Sequence, residues 1–205
     1  MKKIYIARHG QDEDNANKIL NGRRDTPLTN IGIEQASVSA DKIKVLNLNL
    51  DKIYSSPLQR AFNTAKIIAD KLNLPKPEKL DLLIERDFGI MTGKPINSIE
   101  KSCSPDIIKS NPIVYFLSPE GAETFEQLIF RAKDLLNWLE QNDKNDSILL
   151  LTHGDIGKMI YAEFYNLNWK DVLVDFHFGN SEVLLLDKYS RPEDRRLHVV
   201  EQYNH

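Results

Sequence analysis

The sequence predicts a three-layer α/β/α sandwich with a mainly parallel central sheet, on three observations. Short, strongly apolar runs recur along the chain, and amphipathic stretches of helical period lie between them. No internal repeat, low-complexity tract or Gly/Pro-rich linker divides the 205 residues, a length that suits one sizeable core better than two full domains. Residues 1–205 are therefore read as a single α/β domain.

Residues 4–7 form the first buried strand, and a helix over about 30–46 carries Ile33, Ala36, Ala40, Ile43 and Leu46 at helical spacing. A weaker strand at 52–55 leads to Ser55 or Ser56 as a cap and Pro57 as the first residue of a helix bearing Leu58, Ala61, Ala65, Ile68 and Leu72. A third helix runs from about 124 to 141 through Phe125, Leu128, Ala132, Leu135 and Leu139. The apolar run 148–152 is the next strand, followed after His153-Gly154 by a helix with Ile156, Met159, Ile160 and Phe164. Residues 183–187 and, after a turn-like stretch at 190–194, residues 197–203 complete the sheet.

Composition narrows the function. A formal net charge of −3 gives no global attraction to nucleic acid or anionic membrane, so neither is expected as a partner, and anion binding must come from locally placed Arg and His. The opening Met1-Lys2-Lys3 meets Arg8 and His9 too soon for a signal peptide, and no run approaches a transmembrane span. Cys103 is the single cysteine, so neither an intrachain disulfide nor a thiolate metal cluster is expected, and a cytoplasmic setting is the default. No metal and no cofactor is expected, and the oligomeric state is left open.

In an open parallel sheet the functional crevice lies beyond the carboxyl ends of strands. Three segments stand at those ends: Arg8-His9-Gly10, Ser55-Ser56-Pro57 and Thr152-His153-Gly154. The His-Gly pair occurs twice, each time directly after a strand, which places both imidazoles at one edge of the sheet where they can face one another. A single such histidine could be no more than a polar strand cap. Arg60, in the first turn of its helix, is brought to the same crevice, and both a helix N-terminus and an Arg fork favour phosphate.

These segments resemble the histidine phosphatase superfamily, in the phosphoglycerate mutase-like branch. The likeness is carried by Arg8-His9-Gly10-Gln11 with Asn15, Gly22 with Asp25-Thr26-Pro27-Leu28-Thr29, and Gly32 with Gln35-Ala36. It continues through Ser55-Ser56-Pro57-Leu58 with Arg60-Ala61 and Thr64-Ala65, Glu85 with Phe88-Gly89, Glu120-Gly121-Ala122-Glu123 with Arg131, Thr152-His153-Gly154, and Asn180-Ser181. The resemblance implies a phosphoglycerate mutase-like fold and a metal-independent phosphomonoesterase of the histidine acid phosphatase type acting on small phosphorylated metabolites. It implies that His9 attacks phosphorus to become phosphohistidine, with a hydrogen bond fixing its tautomer. Arg8, Arg60 and a protonated His153 would neutralise the phosphate oxygens, and Glu85 would act as proton donor and then acceptor. Asn15, Asn21, Gly22 and Gly154 would hold the phosphate or substrate hydroxyls, under a short inserted cap drawn from residues 86–119.

The same intermediate could be passed to a second hydroxyl, as in a mutase. Residues 86–119 contain Lys94, Lys101 and Lys109 but no Arg-Arg pair, and Asp155 follows the distal His-Gly. The acid at 155 disfavours a bisphosphate, so hydrolysis leads; Thr92-Gly93 keeps the mutase alternative open. Arg23-Arg24 could attract a phosphorylated metabolite to the mouth or be solvated surface. The run Ile113-Val114-Tyr115-Phe116 could roof a less charged substrate, or pack into the core. A non-catalytic scaffold would be expected to have lost His9, Arg60 or His153, and all three are present. Gly89-Ile90-Met91-Thr92-Gly93-Lys94-Pro95 is one residue short of a nucleotide-binding loop, and Asp87-Phe88-Gly89 lacks the other kinase elements. Cys103, His177, His198 and His205 are read as bystanders.

Overall fold

The computed structural model describes residues 2–189 and 196–198. Six strands form one sheet in the order β3-β2-β6-β1-β7-β8: β1 (Lys3–Arg8), β2 (Lys52–Ser55), β3 (Glu78–Lys79), β6 (Ser147–Thr152), β7 (Val183–Leu186) and β8 (Arg196–His198). The first four run parallel to one another, whereas β7 is antiparallel to β1 and β8 to β7, so the sheet is mainly parallel as expected.

The alternation of side chains along each strand assigns two cores, one per face. Tyr5, Ala7, Ile53, Leu149, Leu151 and Val183 pack with Ala40 and Ile43 of α2 (Asn30–Val45) and with Ala65, Ile68 and Ala69 of α3 (Gln59–Leu72). Ile6, Tyr54, Ile148, Leu150, Leu184 and Leu186 face the other way. They meet Leu128, Ala132, Leu135 and Leu139 of α5 (Phe125–Asn142) and Ile156, Met159 and Ile160 of α6 (Gly154–Tyr165). Strand residues one apart in sequence thus stabilise different layers. α5 begins with a capping box in which Thr124 and Gln127 satisfy each other's backbone amides, worth about 1 kcal/mol.

Two boundaries differ from the sequence reading. α3 opens at Gln59, not Pro57, and its N-cap Leu58 offers no side-chain acceptor. Asp25 Oδ1, from a distant loop, accepts the Gln59 amide at 2.7 Å in place of a serine. The last strand occupies 196–198; the turn expected at 190–194 and residues 199–203 lie outside the described residues, as does His205.

Elements that periodicity did not reveal are α1 (Glu13–Ala16), the two-residue β3, α4 (Ile99–Cys103), α7 (Trp169–Asp175) and a separate antiparallel hairpin, β4 (Ile107–Ser110) with β5 (Ile113–Phe116). Leu20, Phe88, Met91, Ile99 and Phe116 form a third, smaller core around this hairpin and the preceding turns. Tyr115 and Phe116 are 2% and 1% exposed, so the apolar run at 113–116 packs inward. No helix of the described residues is long and apolar enough to cross a membrane.

Candidate active site

β1 and β6 are adjacent and in register, Arg8 opposite Thr152, so the residues after them emerge side by side. The His9 amide extends the ladder by donating to Thr152 O at 3.0 Å. The two imidazoles meet edge to face with ring centroids 5.0 Å apart. Both are buried, as are Arg8 and Arg60.

His9 Nδ1 lies 2.6 Å from the carbonyl of Gly10, an acceptor only, which fixes the proton on Nδ1 and leaves Nε2 with its lone pair. Asn180 Nδ2 donates to the His9 carbonyl at 2.9 Å and so holds the backbone of the same residue. Burial, then Arg60 and Arg8, hold the His9 imidazole well below its usual range, so it is neutral at pH 7. Gly10 is required by close approach: a Cβ there would run into the Gly32 carbonyl at the start of α2.

Arg60 reaches the site from the first turn of α3. Its Nε lies 3.2 Å from His9 Nε2 and 3.2 Å from Asp12 Oδ2, while its Nη1 and Nη2 donate to the carbonyls of Arg24 at 2.6 Å and Gly22 at 2.7 Å. Gly22, with φ of +50°, thus contributes a carbonyl that orients Arg60. Asp12 is the residue that sequence reading missed. Its carboxylate, wholly buried, accepts from the Asn15 amide at 2.7 Å, Asn21 Nδ2 at 2.8 Å and Thr26 Oγ1 at 3.2 Å, and forms an ion pair with Arg60. The available signal was an Asp three residues before Asn15, the pattern of a helix N-cap. Asn15 accepts from Asn180, and Asn21 is spent on Asp12, so both prop the site from behind.

Arg8 donates from Nη1 to Phe178 O at 2.9 Å, and its Cζ passes 3.5 Å from where a Cβ of residue 154 would stand. Gly154 thus lies alongside Arg8 at van der Waals distance. His153, the N-cap of α6, pairs through Nε2 with Ser56 Oγ at 2.7 Å, giving the second serine a role unrelated to capping α3. Its Nδ1 is buried with no hydrogen-bond partner among the described residues. Burial, reinforced by Arg60, His9 and Arg8, pushes this imidazole well below its usual range, so it is neutral where a cation was expected.

Glu85 sits at the N-terminus of α6, where Oε1 accepts the amides of Arg86 at 2.8 Å and Ile156 at 3.2 Å. Burial and the neighbouring Asp155 raise its pKa, outweighing the amides and Arg60, which lower it. The loop carrying it is clamped by Arg131, which donates to the carbonyls of Leu82, Ile84 and Glu85 while pairing with Glu123 at 2.8 Å.

Two charges read from the sequence are balanced in the fold. Asp155 pairs with Arg86 at 2.8 Å, and that guanidinium lies over the rings of Phe88, Phe116 and Phe125 at 5.1, 4.3 and 4.3 Å. The charge at 155 is thus paired, while still raising the pKa of the neighbouring Glu85. Arg23 pairs with Asp87 and Glu123, and Arg24 with Asp14 at 2.8 Å, so neither stands as an unbalanced cation at the mouth.

A neutral imidazole whose Nε2 faces Arg60, two Arg forks, a second imidazole and a carboxyl of raised pKa together suit phosphoryl transfer. The chain is similar to several known proteins. A Bacillus subtilis (strain 168) protein described as the uncharacterized phosphatase PhoE is 33% identical over 154 residues, covering 75% of this chain and 72% of that one. A 2,3-bisphosphoglycerate-dependent phosphoglycerate mutase of Methylobacterium sp. (strain 4-46) is 27% identical over 156 residues, covering 74% and 75%. Among solved structures, mycobacterial glucosyl-3-phosphoglycerate phosphatase in complex with VO3 superposes with a TM-score of 0.77 at 21% identity, covering 90% and 92% of the two chains. The sequence matches the histidine phosphatase superfamily (branch 1) over residues 4–198, and the chain belongs to that family.

Proposed function

We propose that the protein is a metal-independent phosphomonoesterase that hydrolyses small phosphorylated metabolites through a phosphohistidine on His9. The observation that carries this reading is the pinning of His9 Nδ1–H to Gly10 O, with Nε2 facing Arg60 and the ring edge against His153. Nε2 attacks phosphorus; the P–N bond forms as the bond to the ester oxygen breaks, and Glu85 gives its proton to that oxygen. Water then attacks the phosphohistidine, Glu85 takes the proton back, and the P–N bond breaks to release phosphate. Arg8 and Arg60 stabilise the equatorial oxygens, and the negative charge of the phosphate draws a proton onto His153.

Transfer to a second hydroxyl is the competing reading, supported by the likeness to a phosphoglycerate mutase. Hydrolysis is favoured because residues 86–119 hold no Arg-Arg pair and their arginine, Arg86, is enclosed by aromatic rings and Asp155.

The test is a phosphate-release assay on p-nitrophenyl phosphate and sugar phosphates with EDTA present, alongside acid-quench trapping of the phosphoenzyme. Full activity in EDTA and a base-stable, acid-labile phosphoenzyme absent from His9→Ala are expected. Loss of activity in EDTA would falsify the metal-free mechanism, and near-normal turnover by His9→Ala would remove the nucleophile. Scoring phosphate relocation in the same assay separates mutase from phosphatase.

A further inference from the structure

The backbone of Glu85 is held by side chains where a strand would be held by its neighbours. Residues 84–87 belong to neither strand nor helix and lie between the short turns Asp81–Leu83 and Gly89–Met91. The Glu85 carbonyl receives two guanidinium donors instead, Arg23 Nε at 3.1 Å and Arg131 Nη2 at 3.3 Å. Glu123 Oε2 joins the two arginines, accepting from Arg23 Nη2 at 3.2 Å and Arg131 Nη2 at 2.8 Å. Burial raises the Glu123 pKa, but Arg131 and Arg23 outweigh it and hold the carboxyl below its usual range, so it is ionised at neutral pH.

Arg131 lies on α5, and Glu123 just precedes that helix. Arg23 comes from elsewhere, a turn in which the Arg24 amide donates to the Asn21 carbonyl at 2.9 Å. The carbonyls on either side of it, those of Gly22 and Arg24, are the two that receive Arg60 Nη2 and Nη1. One turn therefore grips the phosphate-binding guanidinium through its backbone and the backbone of Glu85 through its side chain.

Surface ion pairing does not account for this arrangement. The pair Arg23–Asp87 spans 3.6 Å between side chains 39% and 40% exposed, and such a pair contributes little. The contact with Glu85 differs in kind. A rigid fork that bonds a main-chain carbonyl through Nε and a carboxylate through Nη2 has one orientation, so it fixes the spacing of the two segments it joins.

We propose that Arg23, locked by Glu123, is a positioning residue that sets the place of Glu85 relative to Arg60 and so aims the proton donor at the leaving oxygen. The proposal rests on the phosphatase reading, in which Glu85 is that donor, and adds the group that aims it. Displacing the acid slows proton transfer, while the phosphate keeps its contacts with Arg8 and Arg60.

The test is a double-mutant cycle between Arg23 and Glu85 on two substrates of nearly one shape, p-nitrophenyl phosphate and phenyl phosphate, the second with the poorer leaving group. Arg23→Met keeps the stem and removes the donors. It is expected to lower kcat for phenyl phosphate by about fivefold or more, and kcat for p-nitrophenyl phosphate by less than about twofold, with little change in KM. Arg23→Lys, which keeps the charge and a donor, should recover part of the loss. In the Glu85→Gln background Arg23→Met should cost little more, because no acid is left to aim. Glu123→Gln, which weakens the lock without altering residues 21–24, should repeat the selective loss and frees the result from the folding of one variant. Equal losses on both substrates, no loss on phenyl phosphate, or an undiminished loss in the Glu85→Gln background would each overturn the proposal. Glu85→Gln alone reports on the underlying reading: a selective loss there with none in Arg23→Met defeats only the positioning role, whereas equal losses there defeat the acid itself.

Discussion

At the scale of single residues, the site works by shifting the protonation equilibria of its groups away from those they have in water. Glu85 is pushed toward its acid form by burial and Asp155, and His153 toward its neutral form by burial and four neighbouring basic groups. Each has a measurable consequence. Glu85→Gln removes the proton donor, so its cost should grow with the pKa of the leaving alcohol. Alkyl phosphates are expected to lose about a hundredfold or more in kcat, and p-nitrophenyl phosphate far less. Equal losses across a leaving-group series would remove Glu85 from the role of acid. His153 should gain its proton only when an oxyanion arrives, so binding a tetrahedral dianion takes up protons. Titration calorimetry with tungstate near pH 7.5, in buffers of different ionisation enthalpy, should report uptake of about one proton. A buffer-independent enthalpy would show that His153 stays neutral and acts as a hydrogen-bond donor alone.

At the scale of elements, packing between α6 and the segment before β7 sets the position of Arg8. A Cβ at Gly157 would strike the ring of Phe178, whose carbonyl receives Arg8 Nη1. Gly157→Ala gains helix propensity worth about 1 kcal/mol. The displaced ring nevertheless should loosen Arg8, so KM is expected to rise several-fold with a smaller change in kcat. An unchanged KM would mean that the ring moves without its backbone. The elements that place these groups were largely legible in the sequence, because β1 and β6 are short apolar runs buried on both faces and α2 and α5 bury apolar residues at helical spacing. The ends of α3 were not, since its first free amide is satisfied by Asp25 from another loop, a partnership no local window contains. Neither was the β4–β5 hairpin, whose strands are four residues each and whose buried side chains are divided between two cores, Ile113 and Tyr115 in the one beneath α5 and α6 and Phe116 in the one shared with distant Leu20. The same limit applied within the site. His9, Arg60 and His153 stand beside apolar strands and a helix start, where pattern points to them. Asp12, which ties Arg60 to Asn15, Asn21 and Thr26, follows no apolar run and shows its importance only through those contacts.

At the scale of the whole molecule, enclosing so many ionisable groups makes stability depend on pH in a direction that can be worked out. In the unfolded chain an imidazole titrates near pH 6.5, whereas folded His9 and His153 are held well below that value. Below about pH 6.5 the unfolded chain therefore binds more protons, and stability falls as pH drops toward the folded values. Both histidines therefore lower stability as pH falls below about 6.5. Glu85 acts in the opposite sense. Its folded pKa is raised, so its contribution is fully present below about pH 4.3, the unfolded value, and is lost as pH rises through the folded one. Lys158, lowered to about 8, is mostly charged in both states across the window from 7.5 to 5.5 and adds little to its slope. Urea unfolding in phosphate-free buffer should show wild-type stability falling between pH 7.5 and 5.5. His153→Gln should show about half the fall expected of the pair, and Glu85→Gln a steeper fall than the wild type, because the opposing carboxyl is gone. A wild-type stability that is flat across this window, or a slope that His153→Gln leaves unchanged, would mean that the two histidines accept protons in place within the fold. The neutral His9 on which nucleophilic attack depends would then no longer be secured by burial.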